Sequence, residues 1–380
     1  MTELPSPASP DPAAPPARSP LALDREALHA WLRPRLPGCP DDPAALGLER
    51  LAGGQSNPTW LLRAGPAPDA PAWVLRAKPG PAASLLPSAH AIEREARVLR
   101  ALAGTPVPVP AVRLESADES VIGGAFYVMD FVPGRIFRDA SLPGLAAAER
   151  RAVHAEAVRV IAALHEVDVA AAGLHDFGRH GGFFERQLAR WTRQYQASLT
   201  EEGPCEAMLR LIDWLPQHLP RRTDAQAVAL THGDYRLENL IFHPSRPQVL
   251  AVLDWELSTL GHPLSDLAYF CMAWHLPAGG ALRGFARPGQ NLGALGIPSQ
   301  EETVGRYLAR RGLAAQQAAV QADWPFYLAF NFFRLAAILQ GIRRRVAEGT
   351  ASSPTARETG AQASTVAALG WALARHGGAG

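Results

Sequence analysis

Lysine is almost missing from this chain of 380 residues: of its 37 basic side chains one is a lysine, Lys78, and the rest are arginines. Excess charge is missing too, because 36 acidic residues leave a formal net charge of +1. That balance excludes a nucleic-acid binder working through a broad basic field. Cysteine is scarce, and Cys39, Cys205 and Cys271 have no close partner in the sequence. Neither a disulfide scaffold nor a cysteine zinc site fits, so a reducing compartment, the cytoplasm, is the expectation. The longest apolar run, residues 326–339, is too short for a bilayer span and carries Arg334. Residues 1–20 lack the basic start and apolar centre of a secretory leader. Rich in Pro, Ala and Ser, they read as a disordered tail. Neither membrane nor nucleic acid is expected as a partner.

What is present is a globular composition, 47% apolar and 19% charged, with length enough for two domains or one two-lobed molecule. After the tail, helical spacing runs over 21–36. Short strands follow at 48–51, 59–63 and 73–76, the first two separated by Gly53-Gly54-Gln55-Ser56-Asn57 as a hairpin turn. Pro87 and Ser88 open a helix with Ile92, Ala96, Leu99 and Leu102 on one face. Strands are predicted at 107–112 and 125–131. Pro133-Gly134 breaks the pattern, and beyond it helices recur at 146–164, 182–195, 207–214, 264–274, 301–311 and 325–347. One β island interrupts them, at 240–242 and 249–253. The expectation is a β-rich lobe over 21–132, a hinge at 130–135, and a mostly helical lobe over 133–380.

The stretch richest in chemistry is Thr231-His232-Gly233-Asp234-Tyr235-Arg236-Leu237-Glu238-Asn239. A strand at 228–230 leads into it and the strand at 240–242 leads out. The turn at 243–247 then brings 249–253 back antiparallel, so Asn239 and Asp254 are expected to face each other across the open end of that hairpin. An amide oxygen and a carboxylate together, with Asp234 close by, suit Mg²⁺ holding phosphates. An Asp, an Asn five residues on, and a later Asp are also the parts of a kinase catalytic loop.

The His-Gly-Asp-x4-Asn pattern followed by Leu253-Asp254-Trp255-Glu256 resembles the aminoglycoside phosphotransferase and choline kinase superfamily. The resemblance implies an α+β, two-lobed protein-kinase-like fold acting on small molecules. It implies Asp234 as catalytic base, Asn239 and Asp254 as Mg²⁺ ligands, His232 packed behind the loop, and Asp266 bracing it. Turn-forming Asp and Asn are common, but spacing, hairpin and Asp254 agree here at several levels.

A kinase also needs a loop over the phosphates, a cation on them and a carboxylate to hold that cation. Gly54, Ser56 and Asn57 sit where the loop belongs; small residues there let backbone N–H groups approach phosphate, and Ser56 and Asn57 offer side-chain donors as well. Strand alternation puts Val74, Arg76 and Lys78 on one face. In the kinase fold the residue two before the phosphate-binding cation lies against the base. Choosing Lys78 would press Arg76 on a purine, whereas choosing Arg76 lines the pocket with Val74. Arg76 is therefore preferred, with Lys78 as alternative or auxiliary. Its guanidinium is a bidentate phosphate binder in place of a point charge. Glu95 matches the family pattern as its partner better than Glu93, and Met129 and Phe131 resemble the hinge strand beside the base.

Residues 74–79, 85–90, 129–135 and 330–334 narrow the resemblance to a branch related to the kinase-like domain fused to some acyl-CoA dehydrogenases. It covers roughly residues 25 to 350. The expected reaction takes phosphate from ATP or GTP, with Mg²⁺, to a hydroxyl of a small metabolite, conceivably a hydroxyacyl-CoA. The molecule is expected to be a monomer or homodimer. Arg186, Arg190, Arg193, Arg221 and Arg222 disfavour a polycationic acceptor. Arg334, on an apolar helix, should pair with Asp254 or Glu256 or meet an anionic substrate, since unpaired charge there is costly. The aromatic stripe around it is more often core than substrate wall. A nucleotide-binding regulator without transfer is the competing reading. A protein kinase is disfavoured because Trp255-Glu256, not Phe-Gly, follows Asp254.

Overall fold

A computed structural model describes residues 23–51, 57–78, 92–220, 228–279, 282–287, 289–351 and 353–377. The tail expected at 1–20, Gly54 and Ser56 of the glycine turn, the helix start at Pro87 and Ser88, and Arg221 and Arg222 lie outside the described residues.

The first helix, α1 (Arg25–Leu32), begins at Asp24, whose carboxylate accepts the N–H groups of Glu26 and Ala27. A five-stranded antiparallel sheet follows, built from β1 (Gly47–Arg50), β2 (Thr59–Arg63), β3 (Ala72–Ala77), β4 (Val112–Ser116) and β5 (Phe126–Asp130), in the order β1-β2-β3-β5-β4. The ladder sets Val74 opposite Met129 and Arg76 opposite Tyr127. Between β3 and β4, α2 (Ile92–Leu102) buries Ile92, Ala96, Leu99 and Leu102, the face its periodicity predicts. The strand expected from 107 starts only at Val112. Pro106, Pro108 and Pro110 have no N–H to give a ladder. Pro108 instead offers its carbonyl to Val252 N, at 2.9 Å.

Beyond the hinge, β6 (Arg135–Ile136) joins β8 (Leu240–Phe242) and β9 (Val249–Val252) in a small sheet, and β7 (Ala229–Thr231) pairs with β10 (Thr259–Gly261). Around them pack α3 (Ala147–His165), α4 (Phe183–Ala197), α5 (Glu206–Gln217), α6 (Pro263–Cys271), α7 (Gln300–Arg310), α8 (Gln317–Ala347), α9 (Ala356–Ala361) and α10 (Ala363–Gly377). The helix expected from Pro325 starts at Gln317: Pro325 sits inside it, and buried Val320 and Trp324 carry the helix across the lost hydrogen bond. α10, which lies against α8 and α5, was not among the expected helices. Ala314–Ala347 is long and apolar enough to cross a bilayer by length and composition, and 72% of its most apolar window is buried inside this structure. Its aromatic stripe is core: the rings of Phe326, Tyr327 and Phe330 stand 5.0–5.8 Å from that of Phe184.

His154 of α3 is buried among Phe270, Trp274 and Phe285. Burial pushes its pKa down to about 4, and a backbone group of Ala140 offsets this only in part. A depressed histidine contributes stability fully above its unfolded value of about 6.5 and loses it as pH falls towards the folded value. Between pH 7 and pH 4 this one ring should remove about 3 kcal/mol of unfolding free energy. Urea titrations at both pH values check it: His154→Leu should flatten the acid loss by that amount, and an unchanged pH profile would refute the assignment.

Candidate active site

The loop between β7 and β8 is held from below by α6. Asp266, in the first turn of that helix, accepts His232 N at 2.7 Å and Gly233 N at 2.8 Å, and meets His165 Nε2 at 3.3 Å. Burial by itself would raise the Asp266 carboxyl; His165, His232 and the donated N–H outweigh it and hold the group below the usual carboxylate range. Gly233 has φ +82°, and a Cβ there would stand 2.6 Å from Leu257 O, so only glycine makes this turn. His232 uses both ring nitrogens inside the protein. Nδ1 accepts Asp234 N at 3.2 Å and Nε2 donates to Leu253 O at 2.8 Å, with Trp255 against the ring.

This tight support leaves Asp234 at the loop's rim, with 15% of its side chain exposed. Asn239 Nδ2 donates to Asp234 Oδ2 at 3.0 Å and to its carbonyl at 2.8 Å. Arg236 Nε lies 3.5 Å from Asp234 Oδ1. Tyr269 also faces Asp234; loss of hydration, then the charge of Asp234, push its phenol well up. Arg334 pairs with neither Asp254 nor Glu256 among the described contacts. Its Nη2 donates to Gly233 O at 2.6 Å, and its guanidinium stands 5.7 Å from the Trp191 ring and 5.3 Å from that of Tyr269. A carbonyl and two ring faces take the place of the expected carboxylate.

Across the hairpin mouth the register is one residue off the expectation. Asn239 O accepts Leu253 N at 2.8 Å, and Asp254 is the next residue out, because β9 ends at Val252. Asp254 has φ +67° and ψ +61°, a left-handed conformation that Asp tolerates better than most side chains. Its carboxylate, 35% exposed, accepts Arg76 Nη2 at 2.8 Å.

Arg76 is the hub of the nucleotide side. Its Nε lies 3.0 Å from Glu95 Oε2, and its Nη2 reaches Asp254 and, at 3.5 Å, Glu256. Burial opposes its charge, and Glu95, Tyr127 and Asp254 more than restore it, so the guanidinium is held above its ordinary value. Glu95 is itself buried, which pushes its carboxyl up against the pull of Arg76, Asp254 adding to the rise. Tyr127 Oη at 3.1 Å and Asn57 Nδ2 at 2.7 Å steady it by hydrogen bonds. Asn57, expected to offer a donor to phosphate, is fully buried with that donor on Glu95 instead. Glu93 is exposed, and among the described residues neither it nor Lys78 forms an ion pair. Beside Arg76 opens an apolar cleft of about 260 Å³ between the lobes, lined by Val74, Met129 and Phe131 on one side and Ile241 and Val252 on the other, with Asp254 at its edge.

Tyr127 and Tyr269 escaped the sequence reading, though signals existed for both. Tyr127 shares a strand face with Met129 and Phe131 by alternation. Tyr269 lies three residues after Asp266, on the same side of α6.

A protein-family model described as phosphotransferase enzyme family matches residues 47–295. Acyl-CoA dehydrogenase family member 10 of Mus musculus is 45% identical over 364 residues, 96% of this chain and 32% of that protein. Acyl-CoA dehydrogenase family member 11 of Homo sapiens is 41% identical over 332 residues, 87% of this chain and 40% of that protein. The chain thus spans a third to two fifths of the length of these relatives. A crystal structure from Ralstonia eutropha JMP134, provisionally named an aminoglycoside phosphotransferase, shares 48% identity with a TM-score of 0.79, covering 93% of this chain and 99% of that one. Choline kinase from Cryptosporidium parvum, at 11% identity, shares the fold with a TM-score of 0.66 over 93% of this chain and 96% of its own. With its kinase-like lobes and a family match over most of its length, the chain belongs to the phosphotransferase enzyme family.

Proposed function

We propose that this protein moves the terminal phosphoryl group of ATP or GTP to a hydroxyl of a small metabolite. The observation that carries the reading is that one hairpin mouth joins Asp234, steadied by Asn239, whose carbonyl accepts Leu253 N, to Asp254, the next residue, which shares Arg76 with Glu95. Asp254 and the Oδ1 of Asn239, whose Nδ2 is engaged by Asp234, are hard oxygen donors of the kind Mg²⁺ takes. Held by these two residues, Mg²⁺ would supply neutralisation of the phosphate charge. Arg76 holds phosphate through its planar fork, and Glu95 with Asn57 and Tyr127 fixes the angle of that fork. The apolar cleft receives the base. Asp234, aimed by Asn239 and Tyr269, takes the hydroxyl proton. Most of the rate then comes from positioning and charge stabilisation.

Arg236 pairs with Asp234 and Glu238, and Arg283 with Glu238, so these carboxylates beside the loop are matched by guanidinium groups and offer no surplus negative charge to an aminoglycoside-like polycation. The relatives' names make a hydroxyacyl-CoA the acceptor to try first. The regulator reading keeps one observation in its favour, an arginine tied to three carboxylates where a kinase carries lysine. Thermal-shift titration with Mg-ATP and Mg-GTP, then a screen for ADP or GDP release over hydroxylated metabolites, separates the two. The expected result is stabilisation by at least one nucleotide and turnover with at least one acceptor; binding without turnover on any acceptor would favour the regulator. Asp254→Asn should weaken Mg-nucleotide binding at least about tenfold, since even a group that only orients a metal ligand is worth that much. Titrating Mg²⁺ at fixed nucleotide reads the loss.

A further inference from the structure

The helix that carries Glu95 is gripped on its other side by the helical lobe. Arg94 Nη2 donates to Phe177 O at 2.8 Å and stands 3.5 Å from Ser258 O, while its guanidinium lies 3.9 Å from the centre of the Phe177 ring. Arg97, one turn along, donates to Gly173 O at 2.7 Å and pairs with Asp176. The 173–178 segment they hold is anchored in turn. Phe177 is buried, and a Cβ on Gly178 would stand 2.8 Å from both Leu260 N and Thr259 Oγ1, so this backbone lies directly on β10. β10 pairs with β7, which delivers the chain into the loop bearing Asp234.

We propose that Arg94 is a positioning residue: clamped on Phe177, it fixes the setting of α2 so that Glu95 meets Arg76, and thereby sets nucleotide affinity. This rests on the phosphotransferase reading only for its functional consequence. Residues 94 and 95 are about 100° apart around the helix, so one faces the helical lobe while the next faces β3. A small rotation or slide of α2 withdraws Glu95 from Arg76. Arg94 also touches the Ser258 carbonyl, four residues beyond Asp254, so a single guanidinium braces both the carboxylate that holds Arg76 and the segment that supplies the metal-side carboxylate. Arg97 and Asp176 form a surface pair of the kind worth little. The Arg97 guanidinium stands 5.9 Å from the Phe177 ring against 3.9 Å for Arg94. The weight therefore falls on Arg94, an exposed residue whose hold is the closer ring face and the Phe177 carbonyl.

The test uses the whole chain, with Arg94→Ala, Arg94→Lys and Arg97→Ala compared by Mg-ATP and Mg-GTP titration and by amide hydrogen exchange. Arg94→Ala should weaken nucleotide binding about tenfold and speed exchange across residues 92–102, with α8 unchanged. Arg94→Lys, which keeps the charge over the ring and loses the fork, should recover part of both. Arg97→Ala should stay near wild type. Wild-type affinity and unchanged α2 exchange in Arg94→Ala would overturn the proposal, as would faster exchange spread equally into α8, the mark of a merely structural role. If Arg94→Ala does not fold, Phe177→Leu removes the ring face at similar volume and is expected to give the same two shifts; wild-type behaviour there rejects the clamp. A wild type that binds neither nucleotide overturns the phosphotransferase reading, and the clamp is then decided by α2 exchange alone.

Discussion

Asp234→Asn should lower transfer by about 10²–10⁴-fold while leaving Mg-nucleotide affinity as it is in the wild type. The two side chains have the same shape, and the amide oxygen still accepts the 3.0 Å hydrogen bond from Asn239. What disappears is the capacity to take a proton and the negative charge that Arg236 approaches. Arg76, Glu95 and Asp254 are untouched, so the phosphate side stays assembled. Release of nucleoside diphosphate with and without acceptor, alongside a binding titration, gives both numbers from one preparation. A variant as active as wild type would remove Asp234 from the chemistry, and one that no longer binds nucleotide would make it a structural residue of the loop.

Asp266→Ala should be the most damaging single change in this part of the molecule, at about 4 kcal/mol of folding stability. Its two oxygens satisfy the buried N–H of His232 and the part-buried N–H of Gly233, and Oδ2 also faces His165. Alanine strands both donors and fills nothing. Asp266→Asn keeps one acceptor and should lose roughly half as much by the same reasoning. Urea unfolding with an unchanged slope reads the difference. The pH dependence carries a sign of its own. A carboxylate held below its ordinary value contributes stability above about pH 3.9 and loses it as pH falls through the lower folded value. That window lies beneath the one governed by His154, so the unfolding free energy of the wild type should fall in two stages as pH is lowered, and Asp266→Asn should lack the lower. A Cm for Asp266→Ala close to that of the wild type would mean that the loop does not need its brace.

The candidate site was legible where its geometry is local. Asp234 and Asn239 sit at fixed spacing in one loop, and strand alternation put Arg76 and Lys78 on one face, where the kinase-fold place for the residue against the base favoured Arg76. The Glu95 choice needed the family pattern, because helix periodicity treats both glutamates as candidates and only the fold decides which one is buried. Asn57 could not be placed from sequence: its amide is committed to a side chain 38 residues away. The β6 and β10 strands, of two and three residues, are too short to show a period and exist because β8 and β7 offer them an edge. The late start of β4 was readable, since alternating prolines in 106–110 forbid a ladder whatever the valines between them suggest. The left-handed Asp254 carries no sequence signal at all. Its conformation is imposed by the exit of β9 into the turn at Trp255.

Lys78 follows the last residue of β3 and lies two positions from Arg76, with Ala125 O accepting its N–H at 2.8 Å. Because every other basic side chain is an arginine, an amine-directed dye or cross-linker finds a single side chain to attack in this sequence of 380 residues. With the terminal amine blocked, one fluorophore would stand two residues from Arg76 without a mutation or a purification tag. Nucleotide added to otherwise native protein could then be followed by a dye beside β3.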